Sequence, residues 1–152
     1  MKKLCVLGIT GSIGLNVCSV VELNRNDFEI VGACFNSKYE IFDEIYKKHP
    51  SIKFVAVNNQ NAYLYLKNKY PELIIFYGEN YLINLIDSYS YNMVVNALVG
   101  FNGLVPSVHT LNKDIDLALA NKESLVVGGE LINDILKHTK AKLYPIDSEH
   151  VA

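Results

Sequence analysis

Gly8-Ile9-Thr10-Gly11-Ser12-Ile13-Gly14 puts three glycines into seven residues close to the start of the sequence. Before it runs a short apolar stretch, Leu4-Cys5-Val6-Leu7, which predicts a buried strand. After it, Val17, Cys18, Val20, Val21 and Leu23 recur at helical spacing. A strand, a glycine turn and a helix in that order open a dinucleotide-binding βαβ unit. Gly8 lets the chain turn off the strand, Gly11 lets backbone N–H groups approach a pyrophosphate, and Gly14 lets the helix pack close to the sheet. The unpaired N–H groups of the first helical turn and the helix dipole then face the phosphates. The hydroxyls of Thr10 and Ser12 add hydrogen bonds to the same oxygens. The spacing is G-x-x-G-x-x-G rather than the commoner G-x-G-x-x-G, and its plainer reading is a tight turn with no ligand.

Downstream, Phe28 to Phe35 predicts a second strand. In NAD-binding domains of this type an acidic residue about 20 residues past the glycines binds the ribose 2′-hydroxyl. Here the strand ends in Phe35-Asn36-Ser37-Lys38. An amide, a hydroxyl and a cation would welcome a 2′-phosphate, so the expected cofactor is NADP rather than NAD. The alternative is a solvated polar loop.

Helical spacing over Tyr39 to Lys48 stops at His49-Pro50. Lys53 to Val57 predicts a third strand, and Asn58 or Asn59 caps a helix carrying Tyr63, Leu66 and Tyr70. Leu73 to Tyr77 is a fourth strand, and Gly78 turns it into a helix through Leu82, Leu85 and Ile86. The tyrosines read as half-buried helix-face residues, not a stacking platform. Met93 to Gly100 is a fifth strand. Ligands of open parallel sheets lie beyond the carboxyl ends of strands, which places Leu98 to Gly100 against the nicotinamide half of a dinucleotide. A helix follows from Pro106, with His109 as a surface or packing residue.

Asp116 to Ala120 is a sixth strand that runs into Asn121-Lys122-Glu123-Ser124. Asn121 suits a helix N-cap and Glu123 suits the dipole, whereas the cation of Lys122 opposes it and makes sense against an anionic ligand group. Val126-Val127-Gly128-Gly129 precedes a last helix bearing Leu131, Ile132, Ile135 and Leu136, with His138 near its end. A seventh strand is expected near Leu143. Asp147 and Glu149 alternate by two around Ser148, so on an extended segment both carboxylates face one way. That suits a hard divalent cation with further ligands from elsewhere, or simply a charged tail. The alternation of β and α signals predicts an α/β fold, a doubly wound parallel sheet of the Rossmann-like NAD(P)-binding type, with a default strand order of 3-2-1-4-5-6.

Composition agrees with a globular chain. Half of the 152 residues are hydrophobic and a fifth are charged. A net charge of −2 offers no reason to expect a nucleic acid or an anionic membrane as partner. Met1-Lys2-Lys3 and the apolar run after it are interrupted by glycine too early for a signal peptide, and no run reaches membrane-spanning length. Cys5, Cys18 and Cys34 fall in or beside expected core elements and read as reduced, buried thiols.

Four stretches occur in order: Gly8 to Gly14, Leu98-Val99-Gly100, Leu117-Ala118-Leu119-Ala120-Asn121-Lys122-Glu123-Ser124-Leu125-Val126, and Pro145-Ile146-Asp147-Ser148-Glu149-His150. Together they resemble the N-terminal half of the 1-deoxy-D-xylulose 5-phosphate reductoisomerases of non-mevalonate isoprenoid synthesis, and the resemblance covers the whole chain. It implies isomerisation of 1-deoxy-D-xylulose 5-phosphate on a divalent metal (magnesium, manganese or cobalt). Reduction by NADPH to 2-C-methyl-D-erythritol 4-phosphate follows.

By position, the resemblance implies that Thr10, Gly11, Ser12 and Ile13 hold the pyrophosphate and Asn36, Ser37 and Lys38 the 2′-phosphate. Asn121 and Glu123 would also touch NADPH, Lys122, Ser148 and Glu149 the substrate, and Asp147 and Glu149 the metal. The family's 2′-phosphate loop usually carries Gly or Ala, then Ser or Lys, then Asn, and Asn36-Ser37-Lys38 departs from it. The family's chains continue well past Asp-Ser-Glu-His. The expectation is therefore an NADPH-binding domain over residues 1–152 that binds cofactor without turnover, the catalytic region being absent. The complete protein would be a homodimer, in a bacterial cytoplasm or, after processing, a plastid-type organelle. Two other readings are an NADP-dependent oxidoreductase of another small metabolite and a non-enzymatic dinucleotide sensor.

Overall fold

The computed structural model describes residues 1–120 and 122–146, with only the backbone at 101, 102 and 122–124. Seven parallel strands form one sheet: β1 (Lys2–Leu7), β2 (Phe28–Cys34), β3 (Phe54–Val57), β4 (Ile74–Tyr77), β5 (Met93–Asn96), β6 (Asp116–Leu119) and β7 (Leu143–Pro145). Between them run α1 (Ser12–Leu23), α2 (Tyr39–Lys48), α3 (Gln60–Lys69), α4 (Tyr81–Asp87), α5 (Leu104–Asn112) and α6 (Lys122–His138).

The strand order is β4-β3-β2-β1-β5-β6-β7. The doubly wound reading is confirmed, and the default order is corrected. The chain steps outward through a fourth strand before it returns, so β5 rather than β4 lies beside β1. Leu4 pairs with Met93 and Leu7 with Asn96 in that central register. The reversal of direction falls between β1 and β5, and the carboxyl ends of those strands flank the crevice where such sheets bind ligands.

Alternation along β1 builds two core layers. Leu4 and Val6 face α1, α2 and α3 and pack with Cys18, Val21, Phe42, Ile45 and Leu66. Cys5 and Leu7 face the other way and pack with Leu85, Ile86, Leu111 and Ile132. A strand buried on both faces reads as a continuous apolar run, which is why Leu4 to Leu7 carries no polar residue. On α1 only part of the predicted apolar face is core. Cys18 and Val21 are buried, whereas Val20 and Leu23 are exposed.

Two boundaries differ from the sequence expectation. The fifth strand ends at Asn96 rather than Gly100, and Gly100–Gly103 forms a 3-10 turn. The last helix begins at Lys122 and runs to His138, bent at Gly128 (φ −118°, ψ 15°). Gly128 lies against α5, where an added Cβ would sit 2.4 Å from Leu104 Cδ1.

The tyrosines of α2 and α3 are structural, as read. Tyr65 and Tyr70 of the α3 segment both donate to Asp43 on α2, and Lys69 Nζ joins at 3.1 Å. Burial alone would raise the Asp43 carboxyl, but these three donors outweigh it and hold its pKa below the ordinary value. Tyr39 stacks on Tyr65 with ring centroids 4.0 Å apart. His109, on α5, lies 2.7 Å from Asp87 through Nε2, which satisfies it as a surface residue. All three cysteines are free and buried. Burial pushes the Cys18 and Cys34 thiols up to about 12, so both stay protonated and unreactive.

His49 carries a pH dependence. It caps the C-terminus of α2 and is 1% exposed, and its Nε2 lies 3.6 Å from Glu22 Oε1 without a hydrogen bond. Burial, then Arg25, lowers its pKa from 6.5, with Lys48 acting the same way and Glu22 opposing. Below about 6.5 the unfolded imidazole takes up a proton that the folded one still refuses. Stability is therefore expected to fall as pH drops through 6.5 and to level off below the folded-state pKa. Urea midpoints at pH 7.5, 6.5 and 5.5 measure the slope. His49→Gln should remove the share carried by this side chain, and an unchanged slope in that variant would contradict the assignment.

Candidate functional site

The carboxyl ends of β1, β2, β3 and β5 and the start of α4 enclose a cleft of about 370 Å³. That is within the range of small-molecule sites. Its floor is the turn after β1, and Gly8, Thr10 and Gly11 line it.

Two of the three glycines are required by the chain itself. Gly8 has φ +78°, and a Cβ there would lie 2.8 Å from Ala97 O. A Cβ at Gly14 would lie 2.4 Å from Gly8 O. Gly11 differs. It is exposed, with φ −80°, and an added Cβ would meet no described atom closer than Gly8 O at 3.5 Å. The protein tolerates a side chain there, so the reason for glycine lies in what approaches from outside. Gly11 is also the N-cap of α1 without a side-chain capping bond, and the first turn holds no acidic residue. The positive end of that helix faces the cleft without compensation from its own first turn.

Around this floor the polar side chains are left unused. Thr10, Asn36, Asn58 and Tyr81 all line the cleft. Their side-chain polar atoms make no hydrogen bond among the described residues. Their neighbours behave differently. Asn59 accepts from Ala62 N at 2.9 Å and caps α3, which settles which asparagine of the pair is the cap and leaves Asn58 to the cleft. Asn96 is fully buried, and its Nδ2 donates to Gly103 O at 2.9 Å and to Ser107 Oγ at 2.8 Å. Its Oδ1 accepts from Leu98 N at 3.1 Å. One amide thereby ends β5, anchors α5 and holds the Ala97-Leu98-Val99 wall.

The expected binding residues divide between two places. Thr10, Gly11 and Asn36 share the cleft, and Ser12 and Ile13 begin α1 immediately beside it. Ser37 and Lys38 line a separate shallow depression with Tyr39, Glu40 and Ile41. Lys38 is the N-cap residue of α2 and Glu40 sits in its first turn, where a carboxylate is favoured by the dipole. The loop at 35–38 lacks a carboxylate, but the depression beside it does not.

Lys122 and Glu123 start α6 after β6, and their side chains are among those not described. Asn121, Asp147, Ser148 and Glu149 lie outside the described residues. Among the described residues no group of three His, Cys, Asp or Glu side chains could hold a metal. No helix among them is long and apolar enough to cross a membrane.

Sequence reasoning missed Tyr81 and the role of Asn96. The signal for Tyr81 was available in the rule that strand ends face the ligand, applied to the segment that returns across the sheet after β4. Asn96 read as one more residue of an apolar strand.

The model of the 1-deoxy-D-xylulose 5-phosphate reductoisomerase family matches residues 4–129. The chain belongs to that family. A Clostridium perfringens 1-deoxy-D-xylulose 5-phosphate reductoisomerase is 38% identical over all of the chain, which spans 40% of that protein. One from Malacoplasma penetrans is 36% identical over 98% of the chain and 35% of its own length. The chain thus spans about two-fifths of the curated relatives it matches. A crystal structure of DOX-P reductoisomerase in complex with NADPH, fosmidomycin and magnesium superposes with a TM-score of 0.89 at 28% identity, over 99% of this chain and 37% of that one. The Zymomonas mobilis reductoisomerase in complex with NADPH gives 0.87 at 27% identity, over 98% of this chain and 39% of that one. A putative homoserine dehydrogenase from Archaeoglobus fulgidus, 12% identical over 95% of this chain and 42% of that one with a TM-score of 0.60, shares the fold.

Proposed function

We propose that this chain is the NADPH-binding part of a 1-deoxy-D-xylulose 5-phosphate reductoisomerase. The observation that carries the reading is Gly11, an exposed glycine that the fold does not need. It lies at a helix N-terminus with no acidic residue in its first turn, beside polar side chains left unpaired among the described residues. Thr10, Gly11, Ser12 and Ile13 bind the pyrophosphate through hydroxyls and first-turn N–H groups. Asn36, Ser37 and Lys38 take the 2′-phosphate. Asn121 and Glu123 touch NADPH where β6 ends, and Lys122, Ser148 and Glu149 contact the sugar phosphate substrate.

Asp147 and Glu149 are hard oxygen donors suited to magnesium, manganese or cobalt. When bound, such an ion stabilises negative charge on substrate oxygens during the rearrangement. Residues 1–152 form the cofactor domain in this reading, and the complete enzyme, a cytoplasmic homodimer, converts 1-deoxy-D-xylulose 5-phosphate to 2-C-methyl-D-erythritol 4-phosphate. Three buried, free thiols suit a reducing compartment.

Calorimetric titration tests the reading. NADPH is expected to bind and NADH to bind at least tenfold more weakly, roughly the worth of one hydrogen bond to a charged group. Lys38→Ala should shrink that preference. Gly11→Ala should abolish binding while leaving the thermal midpoint in place, because its Cβ has room in the free protein. Equal affinity for the two cofactors would overturn the 2′-phosphate assignment, and tight binding by Gly11→Ala would overturn the pyrophosphate assignment.

A further inference from the structure

Asn36, Ser37 and Lys38 are exposed, and the residue on each side of them is an aromatic that is not. Phe35 is buried just past β2, and Tyr39 is half-buried at the start of α2. The two rings are the ends of one chain of contacts. From Phe35 it runs to Phe42, stacked with ring centroids 4.9 Å apart, and on to Tyr46 at 5.8 Å. Tyr46 meets Tyr70 edge-on at 4.9 Å, and Tyr70 donates to the Asp43 carboxylate. From Tyr39 the chain runs to Tyr65, stacked at 4.0 Å, and Tyr65 donates to the same carboxylate. Both flanks of the exposed loop therefore meet at Asp43.

Local sequence builds this arrangement. Tyr39, Phe42, Asp43 and Tyr46 follow one another at i, i+3, i+4 and i+7, which is one face of α2. Asp43 is 8% exposed, and a carboxylate so buried needs donors. The α3 segment supplies them through Tyr65, Tyr70 and Lys69, whose Nζ lies 3.1 Å from Asp43 Oδ2 and 3.0 Å from the Tyr65 hydroxyl. The loop backbone is tied at the same two points. Phe35 N donates to Ala56 O at 3.2 Å, and Tyr39 N to Ser37 O at 2.9 Å.

We propose that Asp43 is a positioning residue for cofactor choice. Through Tyr65 and Tyr70 it holds Tyr39 and Phe35, and so fixes Asn36, Ser37 and Lys38 in the shape that receives a 2′-phosphate. The inference rests on the NADPH reading above and deepens it. Asp43 lines neither the cleft nor the depression at Ser37 and Lys38, so it acts only through the rings. The rings reach both places, since Phe35 lines the cleft and Tyr39 the depression. The loop between them joins the two.

The physical reason is preorganisation. A hydroxyl and an ammonium on a loose loop must be ordered when a phosphate arrives, and each side chain immobilised on binding lowers the affinity. A loop already held in its bound shape escapes that loss. The 2′-phosphate is what NADPH has and NADH lacks, so loosening the loop weakens NADPH far more than NADH.

Calorimetric titration of the chain with NADPH and NADH gives the test. Asp43→Asn keeps the size of the side chain but leaves one acceptor oxygen for the three donors. It is expected to weaken NADPH by roughly three- to tenfold, the scale of one or two side chains ordered on binding, with NADH nearly unchanged. Tyr39→Ala should act in the same direction. Tyr39→Phe should keep the parent ratio, because the ring and not the hydroxyl makes the contact with Tyr65. Tyr77→Ala is the control. Tyr77 stacks on Tyr63 at 4.7 Å, and among the described residues no ring contact joins that pair to the loop. Its loss should lower the thermal midpoint and leave the cofactor ratio alone. An unchanged ratio in Asp43→Asn or in Tyr39→Ala overturns the inference. So does an equal loss for both cofactors, which is what a purely structural role would give. A parent chain that binds NADPH and NADH equally, or neither, overturns the 2′-phosphate reading of the loop and this inference with it.

Discussion

Gly14→Ala is expected to destabilise the chain by about 3 kcal/mol, the upper range for forcing a methyl group into packed structure. At this chain length that corresponds to a fall in Tm of roughly 10 °C. Helix propensity points the other way, since alanine inside a helix is favoured over glycine by about 1 kcal/mol. The steric effect wins because of what the methyl group would meet. It would lie 2.4 Å from Gly8 O and 2.6 Å from both the carbonyl carbon and Cα of Ile9. These are backbone atoms of the turn, so they yield only if α1 moves away from β1. That movement would also displace the first-turn N–H groups from the cleft, and NADPH binding should fall with stability. Thermal and urea unfolding of the variant check the prediction, and a midpoint at or above that of the parent chain would refute it. The contrast with Gly11→Ala separates packing from ligand approach. The two glycines are three residues apart, and one substitution is expected to cost stability while the other costs binding alone.

Asn96→Ala should be nearly as damaging, at about 2–4 kcal/mol. The side chain is completely buried and makes hydrogen bonds to Gly103 O, Ser107 Oγ and Leu98 N. Removing it strands the buried carbonyl of Gly103 and the hydroxyl of Ser107 without their donor, and each stranded group costs roughly 1–3 kcal/mol. The methyl group that remains fills little of the space. Asn96→Asp does not repair the loss, because a carboxylate oxygen would then face the Gly103 carbonyl. The second consequence is at the site, since the same amide holds the Ala97-Leu98-Val99 wall of the cleft. Hydrogen exchange should show faster opening over residues 97–107, together with weaker NADPH binding. Protection equal to the parent chain in that segment would show that Asn96 is not what holds the wall.

The glycine turn between β1 and α1 was legible in the sequence because its requirements are local. A strand, three glycines and a helix are contiguous, and two of the glycines, Gly8 and Gly14, answer steric conditions within the turn or with the strand next to it. The two core layers were legible for the same reason, since the alternation of Leu4, Cys5, Val6 and Leu7 follows from strand geometry alone. The seven strands and their intervening helices could be read from periodicity, but the place of β4 could not. Both strand orders satisfy the same hydrophobic pattern, and only the packing of α4 back across β3 and β2 selects between them.

Individual side chains separate the two levels further. Whether Asn58 or Asn59 caps α3 is undetermined by residue type, because both have the amide a cap requires. The backbone geometry at Asn59, with its side chain 2.9 Å from Ala62 N, decides it. Tyr81 is one tyrosine among ten in the sequence. Its place in the cleft comes from the left-handed backbone at Gly78 and Asn80 and from the return of α4 across the sheet. Asn96 looked like the end of an apolar run, and its partners lie 2, 7 and 11 residues ahead of it, across a 3-10 turn that periodicity does not show. What the sequence determined by itself was the fold class, the glycine turn and the family, which rest on short-range spacing. The tertiary structure decided the strand order, the division of the polar residues between scaffold and cleft, and the residues that wall the cleft. Each of those depends on contacts between segments far apart in the chain, and local spacing carries no record of them.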